Sequence, residues 1–250
     1  MTELVHLAVA DGVATLTLDS PHNKNALSQQ LTGELLEHLE TAAGDDAVRV
    51  IVIRSALDVF CSGADMSEAT TVGMGVGAQR MVDVQRAIVA NPKPVVARVA
   101  GPVRAGGIGI VAAADISVAA ASTTFALTEV RLGLAAATIS LTVLPRLTDR
   151  AAAYTFLTGN GFEGVEAARL GLVTLTVADD ELDEIVGSMV ESLLLGVPQG
   201  LRETKQLLNR ELLADIDARG TELAELSASL FGSPAAQEAM LAFLNRKKKS

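Results

Sequence analysis

Short β-branched apolar runs alternate with stretches of helical spacing through the first half of the chain, and this order constrains the fold more than any other feature. Residues 4–10 and 13–19 are strand-like and flank Asp11-Gly12, a pair suited to a two-residue hairpin turn. Ser28 stands where an N-cap belongs, ahead of Leu31, Leu35 and Leu39 at helical intervals, and Gly44 follows the expected helix end at Ala43. Residues 48–54 are apolar without alternation, the pattern of a strand buried on both faces. A helix is expected over about 76–90, stopped by Asn91-Pro92-Lys93-Pro94. A strand over 94–100, a helix from Ala105-Gly106-Gly107 to Ala114, and a strand over 116–120 complete the series. Such an order favours an α/β fold with a mostly parallel sheet and right-handed crossovers. From Ser140 onward the chain reads as mainly helical, with one strand-like segment at 172–177 and two or three amphipathic helices near the end, such as 223–231 and 234–245. No internal repeat is evident. The expected organisation is a core domain over 1–195 and a helical oligomerisation region over 196–250.

Composition narrows the partners. The net charge of −10 opposes non-specific binding to nucleic acid or anionic membrane, and the absence of Trp leaves little for base stacking. Cys61 is the only cysteine, which precludes an internal disulfide and suits a reducing cytoplasm. The first 11 residues lack the pattern of a signal peptide, and no apolar stretch approaches the roughly 20 residues of a membrane span. A cytoplasmic protein with no nucleic-acid or membrane partner is the expectation.

Several common chemistries are not encoded. There is no phosphate-binding glycine loop, and Gly73, Gly75 and Gly77 have the wrong spacing for a dinucleotide fold. His6, His22 and His38 lie apart from one another and from any nucleophile elbow, so neither a metal site nor a Ser-His-Asp triad is expected. Two loops of small residues remain, Phe60-Cys61-Ser62-Gly63-Ala64-Asp65-Met66 and Ala100-Gly101-Pro102-Val103-Arg104-Ala105-Gly106-Gly107. Each stands between a strand and a helix, where first-turn N–H groups have no internal acceptor and the helix dipole adds positive charge. Two such N–H groups converging on one point form an oxyanion hole. Taken singly, each loop is as well explained by tight backbone packing.

Both loops, in order, resemble the oxyanion loops of the crotonase (enoyl-CoA hydratase/isomerase) superfamily. Asn23-Lys24-Asn25-Ala26-Leu27-Ser28 is similar to the N-terminal turn of that family, and Thr124-Phe125-Ala126-Leu127-Thr128-Glu129-Val130-Arg131-Leu132-Gly133 to its catalytic glutamate segment. Leu157-Thr158-Gly159 and Ala167-Ala168-Arg169-Leu170-Gly171-Leu172-Val173 match later blocks. The resemblance implies a crotonase-like ββα spiral and an acyl-coenzyme A substrate, with no separate cofactor and no metal. It implies that the N–H groups of Ala64 and Gly106 hold the thioester oxygen, and that Glu129 is the acid/base, its pKa raised by Phe125, Leu127 and Val130. It places Lys24, Ala26, Ser62, Gly63, Ala64, Asp65, Met66 and Gly106 along the substrate, with Asp65 also bracing its own loop. Cys61 reads as a packing residue.

One departure matters. Typical hydratases of the family carry a second glutamate where this chain has Gly109. Enoyl-CoA hydration with Glu129 alone is the expectation; the alternatives are a Δ3–Δ2 enoyl-CoA isomerase and a non-catalytic binder of CoA thioesters. Gly107-Ile108-Gly109 and Ile139-Ser140 resemble a bacterial branch similar to 3-methylglutaconyl-CoA hydratase, which implies a second substrate carboxylate met by Arg104 and Arg131. The resemblance also implies a homotrimer or homohexamer, with the basic run Arg246-Lys247-Lys248-Lys249 near the CoA phosphates.

Overall fold

Asp11 and Gly12 both take positive φ, 51° and 82°, and so turn the chain tightly between β1 (Val5–Ala10) and β2 (Val13–Leu18). The two pair antiparallel from Val5 against Leu18 to Ala10 against Val13. A computed structural model describes residues 2–68 and 74–247. Helix α1 (Gln29–Gly44) is capped as expected, the Leu31 N–H donating to Ser28 Oγ at 3.1 Å. Strand β3 (Val50–Ser55) follows, then α2 (Met74–Ala90) and β4 (Val95–Val99). The chain continues through β5 (Val103–Arg104), α3 (Gly106–Ala113), β6 (Ile116–Ala120) and β7 (Thr124–Ala126). The second half contains α4 (Ala137–Val143), α5 (Asp149–Thr158), β8 (Phe162–Glu163), α6 (Gly164–Leu170), β9 (Leu175–Val177) and α7 (Leu182–Leu194). Two helices end it, α8 (Pro198–Phe231) and α9 (Pro234–Lys247).

Six strands form one sheet in the order β1-β2-β3-β4-β6-β9, parallel except for the hairpin. The unalternating run in β3 is explained by the two layers around it. Ile51 and Ile53 pack into the main core with α1, α2 and α3, while Val50 and Val52 face Leu182, Val186 and Val190 of α7. A second, small sheet orders β5-β7-β8. Its strands are two or three residues long, too short to leave a periodic signature in sequence.

The C-terminal region ends in two helices, as expected, and α9 covers the expected 234–245, but the expected helix over 223–231 is only the end of a longer one. Residues 198–231 form one continuous helix of 34 residues, whose Ile216, Leu223 and Ala224 join the main core. Gly220 lets it approach α2: a Cβ there would stand 2.6 Å from Val82 Cγ1. Farther toward its start, the buried Lys205 ammonium donates to the carbonyls of Ile88 and Lys93 and pairs with Asp115 at 2.8 Å. Lys248 and Lys249 lie outside the described residues.

Candidate active site

Short backbone links bring the two loops and the glutamate segment together. Cys61 forms a parallel bridge with Val103, and the Arg104 N–H donates to the Cys61 carbonyl at 2.9 Å. Next, β5 pairs with β7, and the Ala105 N–H donates to the Ala126 carbonyl at 3.3 Å. Three residues past that carbonyl the chain reaches Glu129, at the start of a single 3-10 turn ended by Gly133 at φ 71°. The N-terminal turn is stitched to the first loop by Ser62 N–H donating to the Lys24 carbonyl at 3.1 Å and Leu27 N–H to the Gly63 carbonyl at 2.8 Å. Lys24 and Asn25 hold positive φ there, 58° and 54°. Asn25 stabilises the turn from inside, donating through Nδ2 to Ser55 Oγ at 2.8 Å and accepting the Ser20 N–H at Oδ1 at 2.7 Å.

A cavity opens where these segments meet. Ala64, Gly106 and Glu129 all line it, together with Asp65, Leu27, Met81 and Ile139. Among the described residues, neither the Ala64 nor the Gly106 N–H is used in a hydrogen bond. Gly106 opens α3 directly after Ala105, whose φ of 46° turns the backbone into the helix. A Cβ at position 106 would stand 2.5 Å from Leu27 Cδ1 and 3.2 Å from Met81 Sδ, so any larger residue there displaces those side chains.

Glu129 is the one titratable group of the cavity with a strongly raised pKa. Burial pushes its carboxyl up to about 7, against a smaller downward pull from its own backbone N–H. Its Oε2 is buried without a hydrogen-bond partner. Of the three apolar neighbours expected to shield it, Phe125 and Leu127 are buried, but Val130 faces solvent at 41% exposure. Shielding comes instead from the cavity wall, where Ala136, Ala137 and Ile139 follow the glutamate in sequence.

Asp65 braces its loop as expected. Its Oδ1 accepts Ser67 N–H at 2.9 Å and Ser67 Oγ–H at 2.6 Å, and its Oδ2 accepts Asn23 Nδ2–H at 2.8 Å. Burial would raise its pKa, but these hydrogen bonds outweigh that and hold it below the usual range. Lys24, Ala26, Ser62, Gly63 and Met66 lie on the two stitched loops but not on the cavity wall. Cys61 is fully buried, and burial pushes its thiol up to about 12.

The two arginines that the resemblance sets against a second substrate carboxylate both have local partners. Arg104 donates to the carbonyls of Val103 and Thr124 and to Thr124 Oγ1, while Arg131 donates to the Thr158 carbonyl and Asn160 Oδ1. Neither lines the cavity. A guanidinium offers five donors to whatever carbonyls the fold places near it, and sequence spacing does not reveal which those are. Sequence reasoning also passed over Met81, Ser227 and Phe231, which line the cavity from α2 and α8. The only hint was that Ser227 and Phe231 share a helix face at i, i+4.

A carboxyl with one buried, unpartnered oxygen and two loop residues with unused N–H groups thus line one largely apolar cavity. The sequence pattern of the enoyl-CoA hydratase/isomerase family matches residues 8–250, and the chain belongs to that family. It is similar to the crystal structure of an enoyl-CoA hydratase from Mycobacterium avium, at 44% identity and a TM-score of 0.91 over 98% of each chain. It is 31% identical to the (E)-benzylidenesuccinyl-CoA hydratase of Thauera aromatica over 81% of this chain and 80% of that one. It is 28% identical to the 1,2-epoxyphenylacetyl-CoA isomerase of Escherichia coli over 84% and 83%.

Proposed function

We propose that the protein is an enoyl-CoA hydratase in which Glu129 is the only side-chain acid/base. The observation that carries this reading is the Glu129 carboxyl, with Oε2 buried and unpartnered on the cavity that Ala64 and Gly106 also line. The N–H groups of Ala64 and Gly106 hold the thioester oxygen and stabilise the enolate formed when water adds at Cβ. Glu129 accepts a proton from that water, and its carboxyl then returns a proton to Cα. A pKa of about 7 lets one group serve in both directions near neutral pH. Lys24, Ala26 and the stretch Ser62, Gly63, Asp65 and Met66 border the path of the CoA portion. No cofactor other than the CoA of the substrate takes part.

Turnover of crotonyl-CoA in isotopically labelled water, with Glu129→Gln beside it, tests the proposal. Solvent oxygen in the product, lost in the variant, supports hydration. Binding of CoA esters without turnover, unaffected by the variant, would indicate a non-catalytic binder. A second reading, Δ3–Δ2 enoyl-CoA isomerisation, is favoured by one observation: the space beside Gly109 is occupied by Ile139 and Gln85, so no second glutamate stands at that position and Glu129 would both take and return the proton. Double-bond migration without solvent oxygen distinguishes it.

The oligomeric form belongs to the same proposal. Leu207, Leu208 and Leu226 of α8 and Leu241 of α9 are exposed apolar side chains, which supports a region over 196–250 that meets other copies in a homotrimer or homohexamer. A cytoplasmic location is supported by the single, buried cysteine.

A further inference from the structure

We infer that the acyl group taken by this site is uncharged, that a second carboxylate on it is rejected, and that Phe231 sets its length. The inference rests on the acyl-thioester reading above and adds the substrate class to it. Among the described residues, every charged side chain on the cavity wall is acidic: Asp65, Glu68 and Glu129. Residues 69–73, which precede α2, add no Lys or Arg to that stretch of sequence. Arg104 in the second loop and Arg131 just after Glu129 donate to carbonyl and amide partners and do not line the cavity.

The rest of the wall is built for hydrocarbon. Leu27, Met81, Ala137 and Ile139 supply apolar surface, and Ser227 and Phe231 close on it from the last turns of α8. A carboxylate placed there would lose its hydration, find no cation, and stand near the Glu129 carboxylate once that group ionises. A methylene placed there gains roughly fourfold in affinity from burial. Phe231 is half-buried at the end of its helix, so its ring can bound the cavity without being fixed in the main core.

Calorimetric binding of pentanoyl-CoA and glutaryl-CoA to the full-length protein tests the charge rule. The two esters have equal carbon number, and neither has a double bond to hydrate, so the result does not depend on Glu129 chemistry. Pentanoyl-CoA is expected to bind at least about thirtyfold more tightly. Equal or tighter binding of glutaryl-CoA overturns the inference, whereas no binding of either ester overturns the acyl-thioester reading itself. For Phe231→Ala, affinities across saturated esters from butanoyl-CoA to decanoyl-CoA are expected to peak at a longer chain than in the wild type. An unchanged peak in the folded variant removes Phe231 from the rule. If that variant does not fold, the wild-type ester pair still decides the charge rule.

Discussion

Ile139 Cγ2 lies 2.7 Å from the point where a Cβ on Gly109 would stand. The same point is 3.2 Å from Gln85 Oε1, and Gln85 is itself fixed. Its Nε2 donates to the carbonyls of Met81 and Thr138, and its Oε1 accepts from Thr142 Oγ1 at 2.6 Å. The position where typical hydratases of the family carry a glutamate is therefore packed shut. Gly109→Glu alone is expected to cost about 1–3 kcal/mol of stability by overpacking and to leave hydration no faster. With Ile139→Ala, which vacates the space, the double variant is expected to be more stable than the sum of the two effects by about 1 kcal/mol or more. Denaturant unfolding of the four proteins in the cycle checks this, and additive losses would remove the proposed steric cause.

Glu129 links pH to both rate and stability. Its carboxyl is raised from 4.5 to about 7 in the folded chain, so the folded state holds a proton that the unfolded state has lost. Stability then falls as pH rises from about 4.5 to about 7, by roughly 3 kcal/mol at most, and stays lower above that. Glu129→Gln removes the penalty. Its melting temperature is expected to exceed that of the wild type at pH 8 and to match it near pH 4.5, while turnover is lost. Parallel thermal melts at the two pH values decide the point; a constant difference would mean that the carboxyl is not desolvated.

The rate profile gives an independent reading of the same group. If Glu129 acts as base toward water, kcat/KM for hydration is expected to rise with pH and level off above about pH 7, near its raised pKa. An inflection near 4.5 would indicate a solvated carboxylate.

Lys205 anchors α8 to the core. Its ammonium, buried and lowered in pKa by desolvation, pairs with Asp115, whose other contacts are the Val95 N–H and Asn209 Nδ2. Lys205→Ala leaves Asp115 and two carbonyls without their cation and is expected to cost about 3–5 kcal/mol. Chemical denaturation measures the loss, and a change below 1 kcal/mol would show that water replaces the ammonium.

Cys61 is expected to be inert in the folded protein. Its thiol is buried and pushed up to about 12, and its Cβ would lie 2.6 Å from a Cβ added at Gly107. A thiol reagent at pH 8 should label it only at the rate of unfolding. Rapid stoichiometric labelling of native protein would show that the first loop opens.

The family resemblance picked out both small-residue loops and Glu129, whereas local patterns in the sequence determined the hairpin at Asp11-Gly12, the Ser28 cap and the doubly buried run of β3. Each depends on residues close together in the chain, where turn geometry, capping and periodicity are written directly. Tertiary structure alone decided what those residues face. Strands β5 and β7 are two and three residues long, yet their pairing delivers Glu129 to Ala64 and Gly106. The local partners of Arg104 and Arg131, the closing of the Gly109 position by Ile139, and the arrival of Phe231 at the cavity were likewise decided by the fold. Packing between residues distant in sequence follows complementary volume and unsatisfied polar groups, and neither has a period along the chain.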